Sequence, residues 1–200
     1  MKIQGATGRD LAVGARGEAL VGLAGSAYEE AVLRGDVYAV ANQAGVTSQA
    51  GLSVTTPVLT LANPVNSGVY GVLWNASAVF LVAFGAAAAV WLAFGRYSAT
   101  AVTGTLTTAH INLLTGQSGG NKVVAYLAAT LPAAPVAIDQ LGVGLTGAIT
   151  TVPALLAIEK WYNGSIFIPP GCNISVQTST ASGASGQLNS FIWEERIITT

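Results

Sequence analysis

One cysteine, one histidine and very few charged residues are spread over 200 positions. The lone thiol, Cys172, excludes an internal disulfide, and no CxxC or Cys/His cluster is present to hold zinc. The fold must therefore rest on burial, which a chain of this length can achieve without covalent staples. A single imidazole, His110, with scattered carboxylates offers no ligand set for other metals. A Ser/His/Asp arrangement would have to pair it with the remote Asp139. Gly116-Gln117-Ser118-Gly119-Gly120-Asn121-Lys122 superficially matches a phosphate loop. Asn121 stands where a glycine must precede the lysine, however, and Val123 replaces the hydroxyl that would hold magnesium. It reads as a flexible loop, and His110 as a strand or loop histidine with a local hydrogen bond. Cys172 reads as a small buried filler. No acid, base, nucleophile or cofactor loop stands out, so the residues point away from an enzyme and imply no cofactor.

Charged residues make up 8% of the chain, against about 25% in an ordinary soluble domain. Apolar residues reach 52%, and the mean hydropathy is +0.56. A monomer relies on ionic surface to stay dispersed, so much of this outside is expected to be covered by protein. The net charge of −1 provides no basic face for nucleic acid. Lys2, Arg9, Asp10, Arg16, Glu18, Glu29, Glu30, Arg34 and Asp36 crowd the beginning of the chain, and none follows from Val37 to Gly95. This shift sets one boundary, between an N-terminal arm over residues 1–35 and a body over residues 36–200.

The uncharged run Ala76 to Phe94 has the length of a membrane-spanning helix, which makes a membrane-inserted protein an alternative. Central Gly85, four alanines, no flanking basic cluster and a surrounding strand-like pattern speak against it. Two adjacent buried strands would look the same, so a membrane partner is disfavoured. Nothing from Met1 to Gly25 has the apolar core of a signal peptide. The acceptor-like triplets at Asn75, Asn163 and Asn173 are accordingly read as turn chemistry.

In the arm, Leu20, Leu23, Ala24, Ala27, Tyr28, Ala31 and Val32 fall at helical spacing, and Ser26 with Glu29 forms a capping box. The spacing predicts a short helix from about Ala27 to Arg34, stopped by Gly35. Glycine-rich Met1 to Gly17 is expected to order only on a partner. Beyond Gly35 come short β-type runs: Asp36–Ala41, Val54–Ala62, Val69–Phe84, Ala87–Phe94, Val102–Thr107, Lys122–Ala129, Ala148–Val152, Leu155–Trp161, Ser165–Ile168, Asn173–Thr178 and Gln187–Ile197. Asn63-Pro64, Asn66-Ser67-Gly68, Asn163-Gly164 and Pro169-Pro170-Gly171 are read as the turns between them. Many short strands at this spacing predict a mainly β protein, a jelly-roll-like antiparallel β-sandwich. The final strand, turn, strand, loop, strand sequence suits a jelly-roll ending, with Asn189, Phe191 and Trp193 on one face and Leu188, Ser190, Ile192 and Glu194 on the other.

Tyr28-Glu29-Glu30-Ala31, Arg34-Gly35-Asp36-Val37-Tyr38 and Ala41-Asn42-Gln43-Ala44 resemble an N-terminal pattern of tailed-phage virion proteins of the environmental and cyanophage type. Leu61-Ala62-Asn63-Pro64 with Ser67-Gly68, and the Ile168 to Gly171 turn, resemble the same group. The resemblance covers about half the chain in scattered pieces. It implies a capsid cement or decoration subunit located in the virion, a jelly-roll trimer seated on the shell, with a terminal arm reaching the major capsid protein or another virion protein. Arg9, Arg16, Glu18 and Arg34 are then the expected polar docking contacts. Trp161, Tyr162 and Trp193 are expected as aromatic partner contacts, since such residues anchor interfaces. Glu159, Lys160, Glu194 and Glu195 beside these aromatics allow an alternative, a receptor- or glycan-binding jelly-roll module.

Overall fold

The computed structural model describes residues 26–144, 157–183 and 186–198. One helix, α1 (Ala27–Leu33), precedes the strands β1 (Val37–Ala41), β2 (Leu59–Ala62), β3 (Val69–Phe80) and β4 (Ala88–Gly95). Next come β5 (Thr103–Leu106), β6 (His110–Asn112), β7 (Val124–Thr130) and β8 (Val136–Gly144). The last strands are β9 (Ala157–Ile168), β10 (Asn173–Thr178) and β11 (Gln187–Ile197). They form two antiparallel sheets ordered β6-β1-β11-β3-β9 and β5-β7-β2-β10-β4-β8.

The pairing is nested. β1 pairs with β11, β2 with β10, β3 with β9 and β4 with β8, each antiparallel. Contacts of β11 with β3 and of β10 with β4 then complete the two sheets. A four-strand ribbon folded back on itself and rolled into a sandwich gives this order, so the fold is the jelly-roll-like sandwich that the alternation predicted. Between β4 and β8 the chain adds β6 to the edge of β1 and β7 with β5 to the edge of β2, which widens both sheets on the same side.

Two-residue periodicity explains what lies between the layers. Phe191 and Trp193 on β11, Leu73 on β3 and Val40 on β1 meet Leu59 and Leu61 on β2, Ile174 and Val176 on β10 and Val90 and Leu92 on β4 in one core. Cys172 joins them, buried, with its thiol pushed up by desolvation.

Several sequence expectations need correction. Asn163-Gly164 does not separate two strands: both residues take positive φ inside the continuous β9, where they bulge out opposite Trp74 and shift the register with β3. The run Ala76 to Phe94 holds the end of β3, a connection and all of β4 but Gly95; no described helix is long and apolar enough to cross a membrane. β3 and β4 are also not neighbours, because they lie in opposite sheets. Strands β6 and β8 escaped the sequence reading. Only Leu59–Ala62 of Val54–Ala62 is strand, with an isolated bridge from Thr55 to Thr130 upstream. Residues Ala148–Val152 fall outside the described residues.

Candidate interaction surface

Glu194 is the organising residue of the outer face of the β1-β11-β3 sheet. Alternation along β11 sends Phe191 and Trp193 inward and Glu194 outward, yet its carboxylate is fully buried. Arg196 holds it with two parallel bonds of 2.9 Å, Arg34 donates at 2.8 Å and the Trp74 indole at 3.2 Å. Bidentate, charge-assisted bonding of this kind offsets the desolvation that burial imposes on a carboxylate.

Helix α1 is the cover. The Ser26 hydroxyl accepts from the Glu29 N–H and caps the N-terminus, as the capping box predicted. Seven residues are too few to hold a helix in isolation, so packing maintains it. Tyr28 sets its ring edge-on to Trp74 at 5.1 Å and to Trp161 at 5.7 Å, Ala31 is fully buried, and Arg34 reaches Glu194 and Asp36. The spacing of Tyr28, Ala31 and Arg34 places all three on one face. Gly35 follows with φ +79°, a left-handed conformation suited to ending a helix at that point.

Of the expected contact residues, the structure leaves Arg34 and Trp161 partly exposed and buries two others. Arg34 is committed to Glu194 and Asp36. Trp161 is 47% exposed beside Tyr28 and is the most exposed tryptophan among the described residues, Trp91 being half-buried. Trp193 is in the core, stacked on Tyr38 at 5.6 Å, so it cannot meet a partner. Tyr162 is buried too and donates to Asp139 at 2.6 Å. Burial, with that carboxylate as acceptor, pushes the Tyr162 phenol far above its ordinary range. Arg9, Arg16 and Glu18 lie outside the described residues.

Asp139, a residue assigned no structural role from sequence, ties the two sheets at their β8/β9 edge. Lys160 lies 2.7 Å from one of its oxygens. Burial opposes ionisation, but the bonds from Lys160 and Tyr162 outweigh it and keep the carboxyl below its ordinary range. Glu195 fastens the insertion: it accepts the backbone N–H groups of Lys122 and Val123, and burial raises its carboxyl despite those bonds. His110 braces the same loop, its Nε2 accepting from the Gly119 N–H at 2.9 Å. The local hydrogen bond anticipated for this histidine is therefore present. Among the described residues no His, Cys, Asp and Glu side chains gather into a group able to hold a metal.

The remaining surface is apolar in patches. Over β6, β1 and β11, a shallow depression of about 330 Å³ is lined by Ala39, Ala41, Ile111, Leu113 and Ile192. A smaller cavity of about 210 Å³ beside Cys172 is bordered by Ala62, Asn63, Val102 and Tyr126. Comparison with known protein families, curated proteins and solved structures finds no match to this chain.

Proposed function

We propose that this chain is a structural subunit of a virion, a decoration or cement protein that stabilises a shell through contacts with copies of itself and with the capsid protein. The observation that carries the reading is the pairing of scarce charge with exposed apolar side chains. Arg34, Asp36, Glu194 and Arg196 neutralise one another, Lys160 neutralises Asp139, and Glu195 is spent on backbone N–H groups. Ile111, Leu114, Ile138, Val143, Trp161, Phe167 and Ile197 nevertheless face outward. A surface with so few free charges and so many exposed apolar groups is suited to being covered by protein. The jelly roll is a scaffold of viral capsid and lectin domains alike, so the fold accommodates this role without establishing it.

Residues 1–25 would be the capsid-reaching arm, because α1 anchors the chain immediately after them on the sheet. Deleting residues 1–25 is expected to leave any homo-oligomer intact and to abolish co-sedimentation with shells of the cognate capsid protein. Undiminished binding of the truncated chain to empty shells would refute the assignment.

The glycan-binding alternative retains one specific support, exposed Trp161 beside Glu159, whose carboxylate Asn75 orients at 3.0 Å. With Trp193 buried, the platform reduces to that single ring. Trp161→Ala should abolish retention on a glycan array if this reading holds, and should leave assembly unchanged.

A further inference from the structure

The nested topology sorts the connections between strands to two ends of the sandwich. β1 to β2 (residues 42–58), β3 to β4 (residues 81–87) and β10 to β11 (residues 179–186) all turn at the same end, where β8 also finishes. None of these connections contains an Asp, Glu, Lys or Arg. Nor do the strand tips that feed them, from Val40, Val79, Gln140 and Gln177. Among the described residues the nearest charges are Asp139, Glu159 and Lys160, further along the β8/β9 edge. Asp36, Arg196, Glu194, Glu195, Lys122 and Arg96 sit toward the opposite end, where β1 begins and β4 and β11 finish.

The charge-free end is also built rather than loose. Ser48 exchanges hydrogen bonds with Ser182 in both directions at 2.9 Å, and its hydroxyl meets that of Thr178 at 2.8 Å. Asn42 reaches Ala44 and Gln187, Gln177 reaches Ser53, and Thr178 reaches Gln49. Neutral hydroxyls and amides thus fix the loops and leave Leu81 (45% exposed), Gly85, Ala86, Ala87 and Val143 (59% exposed) facing outward. A surface held in place before contact loses less freedom on binding.

From this polarity we infer that the charge-free end is where one copy of this chain meets another, like end to like end, about a symmetry axis. The inference rests on the assembly reading above and specifies its self-contact. Burying a charge without a partner is strongly unfavourable. The end can therefore be covered only by a surface that brings no unpaired charge to it. The opposite end of a second copy, with exposed Arg96 and Lys122, which make no ion pair among the described residues, fails that condition, which excludes head-to-tail stacking. The same end of a second copy satisfies it. Contact between identical patches closes on itself, so the product is a finite symmetric oligomer and not a filament.

Native mass spectrometry and sedimentation velocity on the full chain test this. The wild-type chain is expected to be oligomeric, and Leu81→Asp with Val143→Asp to weaken self-association by about a hundredfold or more, because each strands a charge in the contact. Val65→Asp, at the other end, is expected to leave it unchanged. As a second measurement that does not depend on those substitutions, Ala86→Cys should be joined between copies by a short bismaleimide, and Val65→Cys should not. An oligomer that survives the double substitution, with Ala86→Cys uncrosslinked, overturns the inference and leaves the subunit reading standing. A wild-type chain that stays monomeric at every concentration overturns both; flotation with phosphatidylcholine vesicles would then assign the end to lipid.

Discussion

At the scale of single residues, the outer face depends on a few side chains whose loss has distinct signatures. Tyr28→Ala removes both aromatic contacts of α1 and should cost about 1–3 kcal/mol in urea unfolding, with a red shift of tryptophan emission as Trp74 and Trp161 meet water. Gly95 is required for a different reason. A methyl group there would sit within 2.3–2.5 Å of the side chain of its cross-strand neighbour Asn173, which is itself buried. Gly95→Ala should therefore destabilise by about 1–3 kcal/mol in the same assay. Asp139 predicts a pH dependence whose sign follows from its lowered carboxyl. The folded chain keeps this carboxylate ionised at a pH where the unfolded chain has begun to protonate it. Its contribution is complete above the unfolded value and disappears as pH falls through the folded one. Melting temperature should drop on acidification, and Asp139→Asn, starting lower at neutral pH, should show a shallower drop. An equally steep profile in the variant would place the acid sensitivity elsewhere.

At the scale of elements, α1 and β9 separate what local sequence encodes from what the tertiary fold decides. α1 was legible because the Ser26–Glu29 cap and the glycine after Arg34 are short-range signals, and the helix begins at Ala27 and ends at Leu33. β10 and β11 were legible because alternation is strict and loops of glycine, serine or proline bound them. β9 was not, because Asn163-Gly164 supplies the positive φ of a hairpin turn and a bulge uses the same conformations. Only the cross-strand neighbours decide, here Val72 and Trp74 of β3, against which Gly164 packs. β8 was missed because its partners on β4 shift register twice and its exposed Val136 and Ile138 leave the alternation blurred. Burial at the site was equally illegible. Trp193 beside Glu194 and Glu195 looks like a rim, and the alternation that groups it with Phe191 does not say which face of the strand is the core. Glu194 itself shows how an element depends on one group: Glu194→Ala would leave Arg196 and the Trp74 indole without this acceptor and Arg34 with Asp36 alone, which loosens the last turn of α1. The arginines left behind are about half exposed, so the expected loss is about 1–3 kcal/mol by chemical denaturation.

At the scale of the whole molecule, the arrangement of charge matters more than its amount. Ionic residues are gathered where α1 meets the sheet and along the β8/β9 edge, and they largely satisfy one another. Raising the ionic strength should therefore leave any self-association intact or strengthen it, whereas contacts made through surface ion pairs weaken. Sedimentation at low and high salt distinguishes the two. The nested strand order has a separate consequence, for synthesis. Each of the four nested pairings joins an early strand to a late one, and β1 must wait for β11, which is synthesised after every other described strand. A nascent chain cannot close either layer until its late strand, β11 or β10, has emerged, and sheets built from such distant partners form slowly. Until then its long uncharged strands are open to wrong neighbours, which favours production in the company of chaperones or of the structure it joins.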